Sequence, residues 1–184
     1  MATHTQTYTN SCGAASLLCA AVELGVVQFP DGLALTANVN SENRIYGQIG
    51  EGKPGTALAD RGYSMPGRIA AMARALGLGA EIYMPPGAYA TLLSTFYASA
   101  VTQARGAGFA IIEHPTPPVV GDGYRDIKVM AVMKVVGLHY VLNRPNGSYM
   151  DPGDGLEAPN FEGINNSWLK SYADTGILIR VTRA

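Results

Sequence analysis

The chain has 184 residues, 47% of them hydrophobic, and carries a net charge of −1 from 13 basic and 14 acidic side chains. That is enough for one well-packed domain over residues 1–184 and too little for two. With the charges balanced and no long run of one sign, nucleic acid and membrane surfaces are not expected partners, because both call for a basic excess.

No stretch reaches the ~18 uninterrupted apolar residues of a membrane span. The opening "MATHTQTYTN" is polar and lacks the basic and apolar regions of a signal peptide. As written, the chain would start in the cytoplasm, and export by a route without a cleavable signal is compatible with it. Its two cysteines are Cys12 and Cys19. On a helix, seven residues separate them by about 10 Å, beyond the ~7 Å between Cα atoms that a disulfide tolerates. The three histidines, His4, His114 and His139, form no CxxC or HExxH pattern with them. No metal and no cofactor is therefore expected, and the free thiols fit a reducing compartment.

In chain order, 12–24 is rich in Ala and Leu and stops at Gly25, which predicts a helix. Residues 26–63 show little periodicity and many Gly, Asn and Pro, so a loop-rich excursion with room for short helices is expected. A second helix follows, with Ser64 as N-cap, Pro66 in the first turn, and Ile69, Met72, Ala73 and Leu76 on one face before Gly77. Residues 80–84 read as a short strand. A third helix is predicted over 86–104, with Leu92, Leu93, Phe96 and Tyr97 as its apolar face. From "FAIIEH" onward the chain becomes strand material rich in β-branched residues, ending in "GILIRVTR". The Pro145–Gly147 turn between "HYVLN" and "SYMD" is a hairpin signal. Helices in the first half and an antiparallel sheet in the second give an α+β fold.

A thiol nucleophile needs a lowered pKa, an adjacent base and donors for the oxyanion. Cys12 at a helix N-terminus gains the first from unpaired N–H groups and the dipole. Gly13 would leave room for a substrate backbone, and Gln6 could lend its amide to the oxyanion beside the Cys12 N–H. A buried, inert Cys12 fits "SCGAAS" equally well. His139, at the start of the strand "HYVLN", and Asp151, returning on the hairpin, tilt that balance. Placed roughly opposite Tyr149 to Asp151, His139 would have a carboxylate to hold its tautomer. The bland reading is a structural histidine with a turn-capping Asp-Pro. Cys19 reads as packing, His114 as a loop residue, His4 as part of a mobile terminus and Trp168 as a core or cleft-wall residue. Asp122, Asp126 and Asp154 read as turn residues.

Gln6, five residues, then "CGAA" at a helix start resembles the N-terminal motif of papain-like cysteine peptidases. "GLHYVLNRPNGSYMDPGDG" is similar to the histidine-hairpin-Asp-Pro segment of the C39, bacteriocin-processing branch. "GRIAAMARALGLGAEIY" and "INNSWLKSYADTGILIRV" resemble further C39 elements, whereas 26–63 and 85–125 carry no such likeness. The resemblance implies a papain-like fold with N-terminal helices on a C-terminal antiparallel sheet. It also implies Cys12 as nucleophile, His139 as general base and acid, Asp151 as its orienting partner and Gln6 as oxyanion donor. "NNSW" echoes the Asn-Ser-Trp of papain itself and makes Asn166 a rival to Asp151.

The expected function is peptide-bond cleavage in a protein substrate. C39 peptidases usually belong to export transporters, and this chain has neither a membrane span nor a GxxxxGK[ST] motif. It therefore resembles a released domain: a secreted effector or interbacterial toxin acting in a recipient cytosol, with an inhibitory immunity protein in its producer. An amidase or acyl transferase with the same residues, such as a peptidoglycan amidase, is an alternative, as is a non-catalytic binding module.

Overall fold

The structure, a computed structural model, describes residues 1–85, 94–114, 121–132, 137–165 and 171–183. Helix α1 spans Cys12–Glu23 and is buried from Cys12 to Ala21. Small residues (Gly13, Ala14, Ala15, Ser16, Ala20, Ala21) surround Leu17 and Leu18, so the helix can be enclosed on all sides. Leu24 closes it, and Gly25 turns the chain away at φ +89°, a conformation that favours glycine.

Within the loop-rich region the chain forms an eleven-residue helix, α2, Val39–Ile49. Asn38 caps it by accepting the Ser41 N–H. Glu42, Ile45, Tyr46 and Ile49 form its buried face, the i, i+3, i+4, i+7 spacing of an amphipathic helix. A 3₁₀ turn at Leu58–Asp60 follows.

Helix α3, Pro66–Ala75, begins as expected at the proline, but its cap residue is Met65, with no side-chain hydrogen bond. Ser64 lies just outside, bridged to Gly50. Strand β1, Gly79–Tyr83, precedes helix α4, Ser94–Gly106. Phe96 and Tyr97 of α4 pack on the core, and the Tyr97 hydroxyl donates to the Met84 carbonyl at 2.8 Å. Leu92 and Leu93 lie outside the described residues.

The second half supplies β2 (Ile111–Ile112), β3 (Tyr124–Val132), β4 (Gly137–Asn143), β5 (Tyr149–Asp151), β6 (Leu156–Ala158), the short helix α5 (Phe161–Ile164) and β7 (Tyr172–Thr182). They join β1 in one seven-stranded sheet of order β2-β1-β7-β3-β4-β5-β6. The α+β class holds, while the purely antiparallel, C-terminal sheet does not. β1 comes from among the helices and pairs parallel with β2, the α4 region forming the crossover between them. The sheet is therefore mixed.

Along β4 the side chains alternate as a two-sided strand requires. Tyr140 and Leu142 join the main core with α1, α2 and α3. Val141 joins Met130, Tyr149, Ala158 and Ile164 in a smaller cluster under α5. Asp126 is a strand residue rather than a turn residue: it lies in β3 and takes two bonds from Arg180, at 2.8 and 2.7 Å. Paired bidentate bonds of this kind let a buried carboxylate and guanidinium satisfy each other.

Candidate active site

The N-terminus of α1, the start of β4 and the end of β5 converge. The β4–β5 register sets Leu142 opposite Met150 and Asn143 opposite Tyr149. Continued along the hairpin, it places Val141 across from Asp151, so His139 lies two residues farther on than expected. Asp151 reaches it diagonally: the His139 Nε2–H donates to Asp151 Oδ1 at 2.7 Å. A carboxylate can only accept here, which fixes the proton on Nε2.

Asp151 is fully buried, and among the described residues His139, Gly153 and Tyr172 donate to it. Besides His139, the Gly153 N–H donates to Oδ1 at 2.8 Å and the Tyr172 hydroxyl to Oδ2 at 2.9 Å. The Tyr172 ring also stacks on the imidazole, with centroids 5.3 Å apart and planes 24° apart. Nothing in the local sequence marks Tyr172; only the pairing of β7 with β3 brings it here. Burial and the Asp151 charge hold its phenol well above the usual tyrosine range.

The remaining side of the imidazole meets Cys12, whose side chain is the other hydrogen-bond partner. With Nε2 committed to Asp151, Nδ1 is the nitrogen left for the thiol. Burial alone would depress the imidazole pKa. The bonds to Asp151 and Cys12 and their charges overcome it, and the pKa is raised to about 9. Cys19, two turns farther along α1, is pushed up to about 12 by burial and then by the Glu23 carboxylate, as an inert packing thiol should be.

A cleft of about 390 Å³ opens beside these groups, lined by Gln6 to Thr9, Tyr63, Val132, Leu138, His139, Gly153 and Tyr172. Among the described residues that line it, His139 is the only ionisable group apart from tyrosines. Cys12 is 1% exposed, so the imidazole, not the thiol, meets the cleft. A groove of about 490 Å³ between 24–30 and 75–78 holds neither a thiol nor an imidazole. Among the described residues, no three His, Cys, Asp or Glu side chains gather as a metal site would need.

Gln6 lines the cleft and its backbone N–H donates to the Pro152 carbonyl at 2.7 Å, which ties it to the Asp-Pro turn. Its side-chain N–H groups donate to the carbonyls of Tyr8 and Thr9 at 2.8 and 2.9 Å. In this state neither donor is free for an oxyanion.

The space beside Gly13 is likewise occupied. A Cβ there would lie 2.9 Å from Ile69 Cδ1 and 3.3 Å from both Ser64 Cβ and Tyr140 Cδ2. Close packing against Ile69 of α3, Ser64 and Tyr140 of β4 favours glycine here, and these side chains fill the room expected for a substrate backbone. His4 is no loose end, since its Nε2 bonds Glu42 Oε2 at 2.8 Å. His114 is exposed, as expected of a loop residue. Asn166 and Trp168 lie outside the described residues. Neighbouring Asn165 holds the start of β7 through two bonds with the Tyr172 backbone.

A family model for invasion plasmid antigen J, cysteine protease, matches residues 4–184. The chain is also 34% identical over 200 residues to "Cysteine protease IpaJ" of Shigella flexneri, covering 96% of this chain and 76% of that relative. No solved structure matches. The catalytic type expected from Cys12 and His139 thus agrees with the relatives, and the chain belongs to the invasion plasmid antigen J family of cysteine proteases.

Proposed function

We propose that Cys12, His139 and Asp151 are the catalytic triad of this cysteine peptidase, with Gln6 and the Cys12 N–H receiving the oxyanion. The carrying observation is the imidazole shared between the buried Asp151 carboxylate and the Cys12 side chain. His139 Nδ1 takes the thiol proton and the sulfur attacks the peptide carbonyl carbon, forming a C–S bond as the carbonyl becomes an oxyanion. Collapse of this intermediate breaks the C–N bond while the imidazolium protonates the leaving amine. Water, deprotonated by His139, then cleaves the thioester and restores the thiol.

For the oxyanion, one Gln6 N–H would exchange a carbonyl for the charged oxygen. Charge-assisted bonds are roughly twice as strong as neutral ones, and the exposed Thr9 carbonyl can turn to water instead. Because Cys12 is buried, an entering peptide must part the side chains over it. The chain order Gln6, Cys12, His139, Asp151 supports a papain-like arrangement of the C39 type.

In this reading the enzyme is an effector that cuts a protein in a recipient cytosol. A relative named for an invasion plasmid favours an invaded cell over a bacterial competitor, in which case no immunity protein is required of the producer. The test compares new protein N-termini in recipient cells expressing wild type or Cys12→Ala. A discrete set present only with wild type is expected; identical N-termini would refute the reading.

A further inference from the structure

Glu42 has no role in the chemistry above, yet it is a fully buried carboxylate. Every hydrogen bond described for its carboxylate comes from the segment that leads into Cys12. His4 Nε2 lies 2.8 Å from Oε2, and the Thr7 backbone N–H approaches both oxygens at 2.9 and 3.1 Å. The Thr7 hydroxyl donates to Oε2 at 2.5 Å, and the Ser11 hydroxyl to Oε1 at 2.6 Å. A carboxylate offers acceptors only, with about four lone-pair directions, and these donors use them.

One turn farther along α2, Tyr46 stacks on Tyr8 with centroids 5.7 Å apart. Positions 42 and 46 share a helix face, so α2 presents a charged clamp and an aromatic platform to residues 4–11. The clamp holds both feet of a tight turn. Between Thr7 and Ser11, the Tyr8 N–H donates to the Ser11 hydroxyl oxygen at 3.0 Å and the Ser11 N–H to the Tyr8 carbonyl at 3.1 Å. The carbonyls of Tyr8 and Thr9 in turn hold the Gln6 amide. Cys12 itself is anchored separately, by the buried body of α1.

We infer that Glu42 is a positioning residue: it fixes the Gln6–Ser11 turn, and with it the oxyanion-binding side of the site, relative to the thiol. The inference rests on the triad reading above. It separates two reactions of the same sulfur. Acylation by p-nitrophenyl acetate passes through an oxyanion, whereas alkylation by iodoacetamide is a direct displacement at carbon that forms none. Misplacing a catalytic group by about 1 Å can cost 10²-fold in rate, so even partial loosening should be visible.

Both rates are measured on Cys12 of the full chain. In Glu42→Gln the amide must put a donor against Thr7 or Ser11. We expect its acylation to fall about tenfold or more, with alkylation within about threefold of wild type. Thr7→Val, which removes one hydroxyl donor at nearly constant shape, should lower the acylation-to-alkylation ratio about threefold and covers the case in which Glu42→Gln does not fold. An unchanged ratio in a folded variant, or equal loss of both rates, would overturn the inference, since a merely structural role scales both with the folded fraction. Wild-type acylation no faster than that of Cys12→Ala would instead remove the nucleophile, and this inference with it.

Discussion

Asp151 meets His139 across the diagonal of the β4–β5 hairpin, Oδ1 to Nε2 at 2.7 Å, with Tyr172 bonded to the same carboxylate and stacked on the same ring. The carboxylate is buried and fully engaged, so the imidazole cannot turn without breaking a charge-assisted bond. Two predictions concern this pair directly.

Asp151→Asn removes the charge that, with the thiol, holds the imidazole near 9. The His139 pKa should then fall, and the alkaline limb of the activity profile should move to lower pH. Loss of orientation and charge together should lower kcat/KM by about 10²-fold or more. A pH–rate profile of both proteins on one peptide substrate checks this, and an unmoved alkaline limb would count against it.

Tyr172→Phe keeps the ring on His139 but withdraws the hydroxyl from Asp151 Oδ2. A hydrogen bond worth ~1 kcal/mol corresponds to about a fivefold loss in kcat/KM. Tyr172→Ala, which also loses the stack, should lose more. Steady-state kinetics of the two variants should rank them in that order.

Because the folded-state pKa of His139 is raised above that of a free imidazole, the folded protein binds the extra proton more tightly than the unfolded chain does. That contribution to stability is complete below about pH 6.5 and fades as pH rises through about 9. Urea unfolding across this interval should show a decline that is smaller in His139→Gln. An equal decline in both proteins would place the proton elsewhere.

Gly13→Ala tests the packing explanation for the residue after Cys12. Its Cβ would press on Ile69 Cδ1 at 2.9 Å, an overpacking expected to cost about 1–3 kcal/mol. Ile69→Val removes the Cδ1 atom in the way, so Gly13→Ala/Ile69→Val should recover part of the loss. Thermal unfolding of the single and double variants measures the coupling.

Much of this arrangement could be read from local sequence. The Pro145–Gly147 turn announced its hairpin, Pro66 announced the start of α3, and the Ala-Leu run announced α1 with Cys12 at its mouth. What escaped depends on distant pairing. The hairpin register differs by two residues because turn residues locate a hairpin without counting its rungs, and that shift makes the Asp151–His139 contact diagonal. β1 joining β2 in parallel requires a crossover that no local pattern announces. Glu42 lies in the stretch that reads as loop-rich, and its partners lie 31 to 38 positions earlier in the chain, so no local pattern marks it. Even so, Asn38 and the spacing of Ile45, Tyr46 and Ile49 were signals for α2. Gly13 sits where a catalytic explanation was attractive, and the neighbours that fill its space come from α3 and β4.

The proposed chemistry assigns Cys12 as a nucleophile activated by His139 and Cys19 as a packing residue. Site-mapped alkylation with limiting iodoacetamide at neutral pH, on folded wild type and folded His139→Ala, tests it most directly. We expect Cys12 to be labelled well before Cys19 in wild type, and its labelling to slow at least about tenfold without the imidazole. Labelling of Cys19 first, or a Cys12 rate indifferent to His139, would contradict the account.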